Sequence, residues 1–294
     1  METKQYHIPV MVDEVLQYLQ PRKGGCYVDA TFGGGGHTQA ILDAEPTCRV
    51  VAIDWDKQAL DINGPALEEK YPGRIEFIWT NFGDIERQLK RRNVKHVDGI
   101  LADFGTSQYQ IAQRAGFSFS ADTQLDMRMS PENQKTTAAI VVNKATYDDL
   151  VYIFQMYGEE PFARRIARAI EQTRKKQRIQ TTRQLADIVK RAVPRVQKKI
   201  HPATRAFQAL RIFVNKELEN IRSFLYHAEK VLDAEGRLVC ISFHSLEDRL
   251  VKQYMKDHVD SFDILTPRVV LPTDEEVAMN PSARSARLRA AKKI

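Results

Sequence analysis

The stretch Cys26-Tyr27-Val28-Asp29-Ala30-Thr31-Phe32-Gly33-Gly34-Gly35-Gly36-His37 decides how the rest of the chain is read. A short apolar run ends in an acid, four glycines follow, and Thr38 to Ala44 continues with helical character. That order is strand, tight turn, helix. Glycine suits such a turn because, without a Cβ, the backbone enters φ > 0 and lets a ligand lie against the main chain. The N–H groups opening the next helix then face the ligand, with the positive end of the helix dipole behind them. A nucleotide-like ligand is the expected occupant, although a turn with no ligand would also favour glycine.

The next segment shifts the balance. Arg49-Val50-Val51-Ala52-Ile53-Asp54 reads as a second buried strand. It ends in an acid roughly 20 residues after the glycines, the spacing at which a carboxylate accepts from ribose hydroxyls. Asp54 is the expected ribose ligand, with Asp56 as the alternative. A dinucleotide enzyme would need the turn to cradle a pyrophosphate, usually as G-x-G-x-x-G. Here an acid, Asp29, closes the first strand; it would repel a pyrophosphate but pair with the ammonium group of a methionine moiety. S-adenosylmethionine is therefore favoured over NAD.

The 294 residues, 43% apolar and 28% charged, describe a globular chain long enough for two domains. No apolar run has signal-peptide or membrane-spanning length, so a cytoplasmic protein is expected. Cys26, Cys48 and Cys240 are far apart and form no Cys-x-x-Cys pair, which points to buried reduced thiols rather than disulfides; no metal is expected. Net charge is +6, but Arg164 to Lys216 holds sixteen basic residues against two acidic ones, a local +14. The rest of the chain carries 28 basic and 36 acidic residues, or −8. Such a patch suits a polyanion, here RNA.

Outward from the glycine turn, Val12 to Leu19 reads as an amphipathic helix and Gln58 to Leu67 as another. Ile75 to Trp79 is a third strand, followed by a loop whose Phe82 is a candidate adenine contact or a plain core aromatic. Val97-Asp98-Gly99-Ile100-Leu101-Ala102-Asp103 is a fourth strand ending in another acid. Ligands of open parallel sheets lie beyond the carboxyl ends of strands, where Asp29, Asp54 and Asp103 all fall. From about Ala115 to Gln208 only helical patterns appear, at 148–156, 160–172, 182–192 and 203–213. Alternation resumes with a helix over 218–232 and a fifth strand over 237–243. Ser245 is the expected cap of a helix to about Lys256. Strand signals near Phe262 to Thr266 are weak, and the basic run Arg284 to Lys293 reads as solvated or RNA-facing. The expected architecture is α/β: a Rossmann-like, class I S-adenosylmethionine-dependent methyltransferase sheet in two parts, 1–114 and 209–294, around an inserted helical domain, 115–208.

Several strings then closely resemble the MraW-like family of ribosomal RNA small subunit methyltransferases: Asp29 to Gly33 with Gly35-Gly36-His37, Ala52 to Asp56, Gly116 to Phe119, Leu125 to Met129, Tyr157 to Glu160, Ala163 to Ile170, His201 to Arg205, Phe207 to Ile212, and Ile241 to Arg249. The resemblance runs nearly end to end. It implies methylation of the exocyclic N4 amine of a cytidine in the decoding region of 16S rRNA, within the small ribosomal subunit. It also implies cofactor contacts at Gly35, Gly36, His37, Asp54, Phe82, Asp103 and Gln110; Asp29 is added from the charge argument above.

The chain departs from the family where Asp-Leu-Gly-Val-Ser-Ser-Pro-Gln becomes Asp103-Phe104-Gly105-Thr106-Ser107-Gln108-Tyr109-Gln110. That change leaves other readings open: methylation of another nucleic acid or a protein, or a non-catalytic RNA-binding assembly factor that keeps the cofactor fold. A cytosine amine is a poor nucleophile, so transfer needs positioning and a proton acceptor. Asp103 is the catalytic candidate. For the RNA, Arg128, His201, Arg205, Arg211 and His244 are candidates; the arginines suit phosphates, and each histidine could equally be a structural residue.

Overall fold

The computed structural model describes residues 8–105, 114–194 and 201–294. They form two compact units, one from residues up to 108 with 218–294, the other from 109–217. In the first unit, α1 (Val12–Leu19), β1 (Cys26–Asp29), α2 (Gly36–Ala44), β2 (Arg49–Asp54), α3 (Lys57–Lys70), β3 (Ile75–Trp79), α4 (Ile85–Arg91) and β4 (Val97–Asp103) alternate. The helix Glu217–Val231, β5 (Leu232–Ser242), the helix Ser245–Asp257, β6 (Phe262–Ile264) and β7 (Arg287–Lys293) follow the insertion. The sheet order is β3-β2-β1-β4-β5-β7-β6. The first five strands are parallel, and β7 runs antiparallel between β5 and β6. Strand order reverses at β1, which makes the crevice beside it a topological switch point.

Parallel strands covered on both faces read as continuous apolar runs, and these do. Tyr27, Val50, Ala52, Leu101, Val239 and Ile241 pack with Leu19, Ile41 and Leu42 of α1 and α2. The intervening Val28, Val51, Ile53, Ile100, Ala102, Leu238 and Cys240 are buried as well. The first four strands end where the sequence places them. The three cysteines are buried and free. Among the described residues, no helix is long and apolar enough to cross a membrane.

The basic C-terminal run is a correction. Arg287–Lys293 is strand β7, with Leu288, Ala290 and Ala291 fully buried. Arg289 donates from Nε to Asp248 Oδ1 at 2.6 Å, and Lys292 pairs with Glu235 at 2.9 Å. Small apolar residues between the cations let the main chain join the sheet, while the charged heads reach partners at its surface. A second correction concerns the helix Ser245–Asp257. Its N-cap is His244, in a capping box with Glu247, rather than Ser245.

The second unit holds helices at Ala138–Lys144, Tyr147–Met156, Ala163–Arg174, Thr182–Ala192 and Thr204–Asn215. Thr146 with Asp149, and Thr181 with Gln184, form capping boxes that satisfy the first N–H groups of two of them. Apolar faces carrying Phe154, Ile166, Ile170, Leu185, Val189, Phe207 and Leu210 make one core. The sequence boundary at 208 falls inside Thr204–Asn215. Phe207 and Leu210 lie one turn apart on the same buried face, so that helix belongs whole to this unit. Asn215 closes it: its amide donates to the carbonyls of Met127 and Arg211 and accepts from Met129 N and Gln134 Nε2, all at 2.8–3.0 Å.

Candidate active site

Sheet register puts three carboxylates on one rim. Asp29 aligns with Ala52 on β2 and with Leu101 on β4. Asp54 and Asp103 lie two residues beyond those partners, and a strand's period of two turns all three side chains to the same face. Each acid nevertheless has a different task.

Asp29 is fully buried; its Oδ2 accepts from Thr38 Oγ1 at 2.7 Å and its Oδ1 from Thr31 N at 3.1 Å. Burial pushes its carboxyl above the usual range, against the nearby His37 and those hydrogen bonds. Through Thr38 it ties β1 to α2, so both of its oxygens are already engaged by the protein. Asp56, the alternative ribose acid, is also buried and caps α3 by accepting from Gln58 N at 3.0 Å.

Asp54 remains partly open. Its Oδ2 accepts from Gly33 N and its Oδ1 from Asp56 N, both at 2.7 Å. Burial raises its pKa to about 7, with the two N–H bonds opposing and the charges of Asp56 and Asp29 adding. A carboxylate has about four lone-pair positions, so roughly two stay available to hydroxyl donors. Asp103 is held through its backbone N–H, which donates to Thr31 Oγ1 at 2.7 Å. Its Oδ2 lies 3.9 Å from His37 Nδ1, and its Oδ1 is buried with no hydrogen-bond partner among the described residues. Burial raises this pKa to about 7 too, opposed by His37 and assisted by Asp29 and Glu247. His37 is itself buried and uses Nε2 on the carbonyl of Val10 at 2.8 Å, so its other ring nitrogen faces Asp103.

The glycine turn is packed from behind. Gly35 has φ +76°, and a Cβ there would stand 2.9 Å from the Phe32 ring; at Gly36 it would meet Pro9 at 2.7 Å. Asn63 Nδ2 donates to the carbonyl of Gly33 at 3.0 Å. Phe82 is half-buried, 5.7 Å from Phe104 and 5.6 Å from Phe224 between ring centroids. The loop behind it is clipped at the Gly83 carbonyl, which accepts from Ser223 Oγ at 3.0 Å and from His227 Nδ1 at 2.9 Å. Neither Ser223 nor His227 is announced by a sequence motif, since each lies some 140 residues away; Thr31 and Thr38, flanking the glycines, could have been weighed as partners for Asp29.

These residues fit S-adenosylmethionine. Among the described residues Asp103 offers an orphaned buried acceptor, and Asp54 has spare acceptor positions. Gln110 and Thr106 to Tyr109 lie outside the described residues. Of the RNA candidates, Arg128 is bidentate to Asp126 at 2.7 Å and also donates to the carbonyls of Pro131 and Gln134. Arg211 is bidentate to Glu217 at 2.9 Å. Both arginines are structural braces as they stand. Arg205 is exposed, with one bond to the Glu159 carbonyl, and exposed His201 stacks on Phe119 at 4.5 Å. His244 is the helix cap already described.

The sequence pattern of the MraW methylase family matches residues 4–294. A Ribosomal RNA small subunit methyltransferase H from Cyanothece sp. is 50% identical over 295 residues, covering all of this chain and 97% of the relative. Relatives with the same description from Endomicrobium trichonymphae and Thermomicrobium roseum are 47% and 46% identical, covering 98% of the chain and 99% and 94% of themselves. With this match from end to end and a sheet rim suited to S-adenosylmethionine as cofactor, the chain belongs to the MraW methylase family.

Proposed function

We propose that this S-adenosylmethionine-dependent rRNA methyltransferase modifies the exocyclic N4 amine of a cytidine in the decoding region of 16S rRNA, acting on the small ribosomal subunit in the cytoplasm. The observation that carries the reading is Asp103 Oδ1, a buried carboxylate oxygen at the switch point without a hydrogen-bond partner among the described residues. Leaving a buried acceptor unsatisfied costs about 1–3 kcal/mol or more, so the arrangement makes sense when a donor arrives with the ligands.

The cofactor supplies the methyl group as an electrophilic sulfonium. Asp54 and Phe82 would hold its nucleoside, with Gly35, Gly36 and His37 beside it; Gln110, which the family resemblance adds, lies outside the described residues. A cytosine amine becomes nucleophilic only as it loses a proton, and Asp103, its pKa about 7, suits the role of acceptor near neutral pH. Thr31, which accepts from Asp103 N and donates to Asp29, fixes the end of β4, and His37 Nδ1 faces the carboxylate at 3.9 Å. The target base must leave any helix to reach the rim. Arg205 and His201, both exposed, are the RNA contacts best supported. Arg128 braces the turn at Pro131 and Gln134, Arg211 pairs with Glu217, and His244 sets the start of its helix.

The test is incubation with labelled S-adenosylmethionine and, separately, small subunits, naked 16S rRNA, DNA and protein, followed by digestion to nucleosides and mass spectrometry. The expected product is N4-methylcytidine from subunits or 16S rRNA. Label in any other nucleoside, or in none, ends this reading.

A further inference from the structure

Within the stretch Arg164 to Lys216, whose sequence carries a local charge of +14, the structure holds a basic cleft. A cleft of about 440 Å³ lies between the helices Ala163–Arg174 and Thr182–Ala192, with Lys176, Arg178 and Arg191 in its lining and Asp187 as the one acid. All three cations are exposed, and none forms an ion pair among the described residues.

The loop that carries two of them is pinned. Asn143 donates to the Ile179 carbonyl at 2.7 Å and accepts from Ile179 N at 3.1 Å. Gln184 Oε1 accepts from the N–H groups of Gln180 and Thr181, and the Gln180 carbonyl accepts from Leu125 N at 2.9 Å. Ile179 itself is buried. A loop fixed at three successive residues presents its cations without the ordering cost that weakens a flexible basic tail. Solvated surface cations need no such anchoring.

We infer that this cleft binds the sugar-phosphate backbone of the RNA substrate, with Lys176, Arg178 and Arg191 neutralising successive phosphates. The inference rests on the rRNA reading above and adds where the RNA is gripped. Each phosphate contact releases a counterion, so affinity falls with salt in proportion to the contacts made.

The experiment is filter binding of the full chain to naked 16S rRNA over a salt series. The variant K176Q/R178Q/R191Q should bind on the order of tenfold or more weakly at moderate salt, with a log–log salt slope shallower by about two to three. KM for RNA should rise, while kcat and calorimetric S-adenosylmethionine affinity stay at wild-type values. The control K23Q/K95Q/K252Q, on the other unit, should leave the slope unchanged. R178K/R191K should keep it, and each single Gln variant should lose about one unit of slope should the triple variant fold poorly. Wild-type affinity and slope in the Gln variants would overturn the proposal. So would a defect seen only against RNA-free small-subunit proteins, which would make the partner an acidic protein. A slope defect in a chain whose wild type never methylates rRNA would instead uphold the cleft and refute the methylation reading.

Discussion

Replacing Asp103 by Asn should make the ligand-free protein relatively more stable at alkaline pH while removing methyl transfer. Asp103 is largely buried, its side chain 12% exposed, and its pKa is raised to about 7 in the folded protein. An acid held above its unfolded value is bound to its proton more tightly in the native state. The stability it costs therefore grows as pH rises from about 4 to about 7 and is constant above that. At 1.36 kcal/mol per unit, raising the pH from 5 to 8 crosses about two units of this range, or about 2–3 kcal/mol. Asn keeps the shape and abolishes that component. It also brings an amide with its own unmet hydrogen bonds, a cost independent of pH. The informative quantity is therefore the change in the mutant-minus-wild-type difference between the two pH values. Urea unfolding at pH 5 and pH 8 measures it, and Asp54, raised to about 7 as well, supplies a residual slope common to both proteins. The variant should gain about 2–3 kcal/mol relative to wild type on going from pH 5 to pH 8, with transfer lost at both. A difference that does not move with pH would refute the assignment of an unpartnered, burial-strained carboxylate. Full turnover by the variant would discard Asp103 as proton acceptor.

Gly35→Ala must hold φ near +76° and press a Cβ on Phe32, so thermal and urea unfolding should report a loss of about 2–4 kcal/mol. An unchanged midpoint would mean that the turn does not have this conformation. Removing both donors to the Gly83 carbonyl, in Ser223→Ala with His227→Phe, should raise KM for S-adenosylmethionine several-fold and leave kcat in place. A fall in kcat with KM constant would contradict a role in holding the Phe82 loop. Asn215→Leu leaves Met129 N without its acceptor and the Met127 carbonyl without its donor, and should cost about 2–4 kcal/mol in denaturant unfolding. A cost below 1 kcal/mol would show that these groups find other partners.

Much of the fold is legible before any coordinates because its signals are local. Apolar runs of strand length, each closed by an acid or an aromatic, place β1 to β4, and helical spacing over 160–172 and 182–192 places two helices of the insertion. The strand-end acids follow from the same reading, since parallel strands end at one rim. What eludes it is partner choice. Arg128 and Arg211 look like phosphate ligands, yet Asp126 and Glu217 occupy their guanidinium groups. The basic tail looks solvated, yet Leu288, Ala290 and Ala291 are enough for β5 and β6 to take it into the sheet.

Sequence alone determined that a glycine turn follows a strand, that three carboxylates close three strands, and that positive charge gathers in the helical insertion, because periodicity, turn chemistry and composition act within a few residues. Only the tertiary structure decided which of those carboxylates is available. Thr38 and Thr31 engage Asp29, the start of α3 engages Asp56, Gly33 and Asp56 leave Asp54 half free, and among the described residues Asp103 Oδ1 has no partner. A carboxylate's role depends on which donors the folded chain brings within about 3 Å of it, and that distance is set by packing rather than by position along the chain.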